Sequence, residues 1–222
     1  MKDKKNSTEK ERKINIPNIL TIVRLVLVIP FLVLMFTAYF FINKEYQRRY
    51  DDIGRILLGS SLFVFMVAMI TDFLDGYIAR KTNQITEFGK LWDPLADKIM
   101  IISALITLSM LKVVPIWLTL LFILRDLIVD GTRVIMAKNN ISVAAKWTGK
   151  FKTVMQTLGI ITVYIFFLIF NIPEFLEEKF TNKTIEFALL HAINSPLIIA
   201  GILNIISGFE YFNSIKEYIK LK

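Results

Sequence analysis

Apolar residues fall into six long runs separated by short polar stretches, and each run approaches the ~20 residues needed to cross a bilayer as a helix. The chain starts with a charged stretch lacking any apolar face, residues 1–13 (MKDKKNSTEKERK), which reads as a disordered cytosolic tail. It is not a signal peptide, because the apolar run behind it is too long and no small-residue cleavage site closes it. The first run predicts a helix from Pro17 to Ile42, with Pro17 as its first helical residue. After the polar NKEYQRRYDD, a second helix is expected over Ile53–Arg80, then a polar loop over Lys81–Gly89. A third covers Lys90–Leu111, closed by a tight turn before Pro115, and a fourth covers Pro115–Lys138. The linker NNISVAAKW leads to a fifth helix over Gly149–Phe170. PEFLEEKFTNK, which follows, is too polar to span. A sixth helix ends near Phe212, and Ser195-Pro196 is either its fresh N-terminus or a kink inside something longer. The pattern therefore predicts an all-α integral membrane bundle of six transmembrane helices, one domain over 14–222.

Composition agrees with this. The 222 residues are 55% hydrophobic with a mean hydropathy of +0.54, more apolar than a soluble domain of this length. The formal charge of +8 fits basic cytosolic loops better than a nucleic-acid surface, and no nucleic-acid partner is expected. With the N-terminus inside, the inner segments hold sixteen basic residues: six in the tail, then Arg80, Lys81, Lys90, Lys138, Lys146, Lys150, Lys152, Lys216, Lys220 and Lys222. The outer loops hold six: Lys44, Arg48, Arg49, Lys112, Lys179 and Lys183. This bias puts both termini, and the loop between the second and third helices, in the cytosol. There is no cysteine, which excludes disulfides, thiol chemistry and thiolate metal sites. The single histidine, His191, is expected near the outer end of the sixth helix as a satisfied or solvent-facing side chain. Any general base is therefore most simply a carboxylate.

The carboxylates that matter stand in Thr71–Met100 (TDFLDGYIARKTNQITEFGKLWDPLADKIM). Asp72 and Asp75 are three residues apart, and Asp93 and Asp97 four apart, so each pair shares one helix face. At 1.5 Å per residue, Asp72 lies roughly 12 Å above Arg80 and Asp97 roughly 10 Å above Lys90, so the pairs meet at similar depth on antiparallel neighbours. Acidic groups in a membrane segment are expensive and functional by default. Four together repel one another unless cations sit among them. An oxygen-only donor set suits Mg²⁺ or Mn²⁺, and four carboxylates can hold two ions, an arrangement suited to displacement at phosphorus. Gly76 and Gly89 would let a bulky ligand approach the backbone, and Arg80 would meet a phosphate at the membrane surface. Two rival readings exist. The acids could pair with Arg80 or Lys98 to hold helices together, or line a divalent-cation pathway. The second explains the acids but gives no reason for Gly76, Ala79 and Gly89.

The spacing Asp72-x₂-Asp75-Gly76-x₂-Ala79-Arg80-x₈-Gly89-x₃-Asp93-x₃-Asp97 resembles the signature of the CDP-alcohol phosphatidyltransferases. The resemblance implies that Asp72, Asp75 and Asp93 are metal ligands and that Asp97 is both a further ligand and the base that deprotonates an acceptor hydroxyl. It implies that Gly76, Ala79, Arg80 and Gly89 line the CDP site. The implied reaction transfers a phosphatidyl group from CDP-diacylglycerol to an alcohol and releases CMP. It further implies a homodimer surrounded by membrane lipids in a bacterial cell membrane, its active site facing the cytosol. Other stretches resemble the branch of the family whose acceptor is sn-glycerol 3-phosphate. They are Ile16–Thr21 with Arg24, Trp92–Lys98, Arg125 with Gly131-Thr132-Arg133, Gly149–Thr153 and Ser207–Phe212. Asp126, where glutamate is usual, and Trp92, where a smaller apolar residue or phenylalanine is common, depart from that pattern. The remaining acceptors in play are inositol phosphate, serine and phosphatidylglycerol.

An anionic acceptor also has a physical basis in the chain. Arg125 and Arg133, eight residues apart, lie within about 80° on one helix face. Lys150 and Lys152 open the fifth helix on the same side. A phosphate-bearing alcohol needs such cations, whereas serine or free inositol does not. The competing reading pairs Arg125 and Arg133 with Asp126 and Asp130, or has them snorkel to the interface. Asn18, Thr21 and Arg24, at the cytosolic start of the first helix, are expected either to contact cytidine or phosphate, or to cap the helix and meet lipid headgroups. Glu210 has no assigned role at this stage.

Overall fold

A computed structural model of the chain describes residues 16–42, 51–82, 87–138, 147–170 and 183–220. The charged tail, the linker 139–146 and the polar stretch 171–182 lie outside the described residues. Among the described residues all regular structure is helical, in seven helices: α1 Ile16–Ile42, α2 Asp51–Thr82, α3 Glu87–Met110, α4 Ile116–Lys138, α5 Trp147–Phe170, α6 Lys183–Ile193 and α7 Ser195–Lys220.

The core is built on an antiparallel seam between α1 and α2, the most extensive helix contact in the fold. On α1 the buried positions are Thr21, Arg24, Val28, Phe31, Met35 and Ala38. Their alternating spacing of three and four residues is the period of a coiled-coil seam. On α2 the matching positions are Leu58, Ser61, Phe65 and Ala68, with Asp72 next in step. The contacts keep one register. A Cβ on Gly54 would lie 2.6 Å from Ile42 Cγ1, Ser61 Oγ lies 3.2 Å from Met35 Sδ, and the Phe31 and Phe65 rings sit 5.9 Å apart. Carried to the far end, the same register brings Arg24 to Asp72. Tyr164 of α5 joins the seam by stacking on Phe65 and placing its hydroxyl 2.6 Å from Met35 Sδ.

α5 and α7 form the second close pair. Gly159 makes the approach possible, because a Cβ there would stand 2.8 Å from the Leu197 side chain and 3.0 Å from its backbone nitrogen. α7 also packs on α4, and α3 lies against α1 and α4.

Four helices are long and apolar enough to cross a membrane: Ile19–Ile42, Asp52–Ile78, Trp147–Phe170 and Ser195–Asn213. The chain is thus an all-helical membrane protein. α3 and α4, of 24 and 23 residues, have the length but also carry Asp93, Asp97 and Lys98, and Arg125, Asp126, Asp130 and Arg133. α6, with 11 residues, is too short to span.

Four details differ from the sequence reading or settle it. The loop expected over Lys81–Gly89 is shorter, since α2 continues to Thr82 and α3 already begins at Glu87. Lys81 in the last turn of one helix and Glu87 in the first turn of the next both suit the helix dipoles. The ambiguous start of the last span is a fresh N-terminus. The Asn194 carbonyl accepts from Ile198 N (2.9 Å) to open α7, and Pro196 has no N–H with which to continue α6. The Asn194 amide donates to the carbonyls of Val113 and Leu190, both at 2.8 Å. α7 then runs on to Lys220, past the expected end near Phe212. The turn after α3 is a Schellman closure, with Val113 N donating to Leu108 O (2.9 Å) and Lys112 N to Ser109 O (3.0 Å). Lys112 occupies the left-handed position, at φ 59°.

Candidate active site

The α1–α2 seam ends at a charged pair. Arg24 has no exposed surface, and its Nη1 stands 2.6 Å from Asp72 Oδ1. A guanidinium is tolerated inside a helix bundle only where an anion answers it, since an unpaired buried charge costs several kcal/mol. Thr21, also fully buried, is one turn earlier on the same face of α1. The Asp72 side chain keeps 45% of its surface accessible, so one side faces the protein and the other an open space.

Asp97 reaches the same place from α3. It is half-buried, flanked by the fully buried Ala96 and Met100, and lies in the fields of Asp72, Arg24, Lys152 and Lys98. Three helices therefore bring two carboxylates and a guanidinium together. Asp75 follows Asp72 by three residues along α2, and Asp93 precedes Asp97 by four along α3, so helix geometry puts each on the face of its partner. The side chains of Asp75, Asp93, Ala79, Arg80, Gly89 and Asn18 lie outside the described residues. Gly76 is on α2, half-buried, one turn beyond Asp72. The donors that are described are carboxylate oxygens without nitrogen or sulfur ligands, which fits a hard divalent cation.

A second cluster, rich in cations, adjoins the first. Arg125 on α4 donates through Nε to the Asn204 carbonyl (3.1 Å), through Nη2 to Ser207 Oγ (2.7 Å) and through Nη1 to Asp126 Oδ1 (3.1 Å). Lys152, 5% exposed on α5, donates to the same Asp126 oxygen at 2.5 Å. Lys98 pairs with Asp130 across α3 and α4. It also lies in the fields of Asp126, Arg133, Asp97 and Arg125, so the two clusters form one electrostatic unit. Arg133 stands apart from the carboxylates, its guanidinium 5.5 Å from the centre of the Tyr211 ring, and Lys150 is exposed.

The four expected acceptor cations are thus not equivalent. Arg125 and Lys152 converge on one carboxylate, while Arg133 and Lys150 sit at the accessible end of α4 and α5. The pairing of Arg125 with Asp126 is the arrangement that the rival reading of α4 described; Asp130 takes Lys98 instead of Arg133. Glu210, without a role from sequence, accepts a hydrogen bond from Thr148 (2.7 Å) and ties α7 to the start of α5. His191 lies on α6, not on the last span; its ring stacks on Trp117 and meets Phe187 at a tilt, at the opposite end of α4 from Arg133. Sequence reasoning marked the stretch Ser207–Phe212 but did not anticipate the contact of Ser207 with Arg125, nor Asn204, nor the double role of Asp126. Two polar residues three apart within an apolar run, Asn204 and Ser207, were the available signal.

Comparison with known proteins agrees with this geometry. The family model of the CDP-alcohol phosphatidyltransferases matches residues 14–194. The chain belongs to the CDP-alcohol phosphatidyltransferases. It is 34% identical over 206 residues to a CDP-diacylglycerol–glycerol-3-phosphate 3-phosphatidyltransferase of Bacillus subtilis, covering 93% of this chain and 97% of that one. Against the Rickettsia felis enzyme of the same name it is 35% identical over 205 residues, 92% of this chain and 97% of the other. A Mycoplasma genitalium protein of that name is 45% identical over 106 residues, 48% of this chain and 44% of its own length. As a member of this family the chain is a phosphatidyltransferase, and the matched region contains all four aspartates together with Arg24, Arg125, Asp126 and Lys152.

Proposed function

We propose that the protein transfers the phosphatidyl group of CDP-diacylglycerol to sn-glycerol 3-phosphate, giving phosphatidylglycerol phosphate and CMP. The observation that carries this reading is the abutment of two clusters: Asp72 and Asp97 act on one another beside Arg24, and Lys152, paired with Asp126, lies within the field of Asp97. An acceptor with a hydroxyl at one end and a phosphate at the other matches that pairing. The names of the relatives point to the same acceptor.

In this reading Asp72, Asp75, Asp93 and Asp97 hold two divalent ions, Mg²⁺ or Mn²⁺. When bound, such ions neutralise pyrophosphate charge and acidify a nearby hydroxyl. Gly76, Ala79, Arg80 and Gly89, with Asn18 and Thr21 on α1, line the CDP site. Arg125, Arg133, Lys150 and Lys152 supply the positive field that draws in the acceptor phosphate. Asp97 takes the proton from the C1 hydroxyl of glycerol 3-phosphate. The freed oxygen attacks the β-phosphorus, which carries the diacylglycerol. The bond from that phosphorus to the bridging oxygen breaks, and CMP departs with the bonding electrons. The protein crosses the bacterial cell membrane six times, α3 and α4 included, with its termini and active site on the cytosolic side, and works as a homodimer.

The test is an acceptor panel. Purified protein with CDP-diacylglycerol and Mg²⁺ is expected to release CMP with glycerol 3-phosphate. Release with serine, inositol phosphate or phosphatidylglycerol in its place would overturn the acceptor. Asp97→Asn is expected to lower turnover by at least about 100-fold, the usual scale for loss of a general base. Near-normal turnover would remove Asp97 from that role.

A further inference from the structure

The chain Arg125–Asp126–Lys152 has a direction. Arg125 uses its guanidinium on the protein itself, with Nε on the Asn204 carbonyl, Nη2 on Ser207 Oγ and Nη1 on Asp126. Its stem lies along α7, where a Cβ on Gly208 would sit 3.5 Å from its Cγ and Nε. Arg125 is therefore a bracket between α4 and α7, and its free edge sets where the Asp126 carboxylate stands. One oxygen of that carboxylate takes both Arg125 Nη1 at 3.1 Å and Lys152 Nζ at 2.5 Å.

Lys152 has a different standing. Its ammonium carries three donors, and the contact with Asp126 uses one. It comes from α5, it is 5% exposed, and Asp97 lies within its field. A long four-carbon stem would let that ammonium swing unless something held it. Two cations on one carboxylate leave the cluster a unit of positive charge to offer a ligand.

We propose that Asp126 is a positioning residue for the acceptor: held by Arg125, it aims the Lys152 ammonium at the acceptor's phosphate without touching substrate itself. Arg125 acts through Asp126, and Lys152 makes the contact. This rests on the reading that the acceptor is a phosphate-bearing alcohol.

The experiment is a set of steady-state measurements on the full-length enzyme. Asp126→Asn keeps the shape and removes the charge. It is expected to raise KM for glycerol 3-phosphate by about tenfold, the worth of one charge-assisted hydrogen bond, with kcat and KM for CDP-diacylglycerol within about twofold of the parent. Asp126→Glu keeps the charge and should recover most of the loss. Ser207→Ala loosens the bracket with every charge in place, and should raise the same KM by a smaller factor. An unchanged or lowered KM for glycerol 3-phosphate in Asp126→Asn overturns the proposal. So does a parallel fall in kcat and rise in both KM values that Asp126→Glu does not repair, because that is the signature of a merely structural pair. If Asp126→Asn does not fold, Ser207→Ala and Asp126→Glu decide, and parent-like KM for glycerol 3-phosphate in Ser207→Ala overturns the proposal. Absence of CMP release by the parent with glycerol 3-phosphate would instead refute the acceptor reading beneath it.

Discussion

Arg24 is a costly residue to bury: a guanidinium with no exposed surface, in a seam that it shares with Thr21, Val28, Phe31, Met35 and Ala38. Its position is explained by Asp72, 2.6 Å away, and the benefit runs in both directions. The arginine avoids an unpaired charge, and the aspartate has one oxygen fixed while its other surface stays open to a ligand. Partners that orient a metal-binding carboxylate commonly matter almost as much as the ligand itself. Arg24→Ala is accordingly expected to raise the divalent-ion concentration for half-maximal CMP release by about 10–100-fold. A metal titration of the purified variant checks this, and a midpoint equal to the parent's would show that Asp72 needs no such support. Part of this candidate site was legible in the chain: the structure brings Asp72 and Asp97 to one place, while the side chains of Asp75 and Asp93 lie outside the described residues. The four aspartates, at i, i+3 and i, i+4 spacing within apolar runs, announced themselves by their cost. Arg24 was expected to meet cytidine, phosphate or lipid headgroups, and its pairing with Asp72 was not foreseen, since i,i+4 arithmetic works within a helix and says nothing about which residues meet across a seam. Asp126 was harder still. On sequence it is one acid beside one base, and its bridging role exists only once α5 delivers Lys152.

At the scale of elements, helix type followed from hydrophobic run length, while the ends and breaks followed from local chemistry that run length does not register. Pro196 and the Asn194 carbonyl divide α6 from α7, and Lys112 accepts a left-handed conformation to close α3. What no pattern disclosed was which faces touch. Gly159 and Gly131 look alike in the sequence, both inside helices. A Cβ on Gly159 would press against the Leu197 side chain at 2.8 Å and its backbone nitrogen at 3.0 Å, whereas one on Gly131 meets nothing within 4 Å. Gly159→Ala is thus expected to destabilise the protein by about 1–3 kcal/mol through overpacking of the α5–α7 contact. Gly131→Ala should stabilise by about 0.5–1 kcal/mol from helix propensity. Thermal unfolding in detergent should move the two midpoints in opposite directions. A shared direction would mean that α5 and α7 do not approach through Gly159.

For the whole molecule the open matter is how α3 and α4 sit relative to the membrane. Both are long enough: 24 and 23 residues rise about 36 and 34 Å at 1.5 Å per residue. Their charges are kept away from the Lys112 turn, with Asp93, Asp97 and Lys98 in the first half of α3, Arg125 and Asp126 at the middle of α4, and Asp130 and Arg133 in its second half. The halves that meet at the Lys112 turn, 99–110 and 116–124, carry no charge at all. The charges also pair, Lys98 with Asp130 across the two helices and Arg125 with Asp126 within α4, which lowers the cost of holding them at depth. Inserting both helices would leave the Lys112 turn outside and the charged segments on the cytosolic side, the side on which the loop bias of basic residues leads one to expect the termini. The absence of cysteine makes this directly measurable. Single variants Thr8→Cys and Asn140→Cys should react with a membrane-impermeant maleimide only after the cells are permeabilised. Lys112→Cys and Asn182→Cys should react in intact cells. Protection of Lys112→Cys in intact cells, with Asn182→Cys still labelled, would mean that α3 and α4 do not cross, and the six-span arrangement would have to be given up.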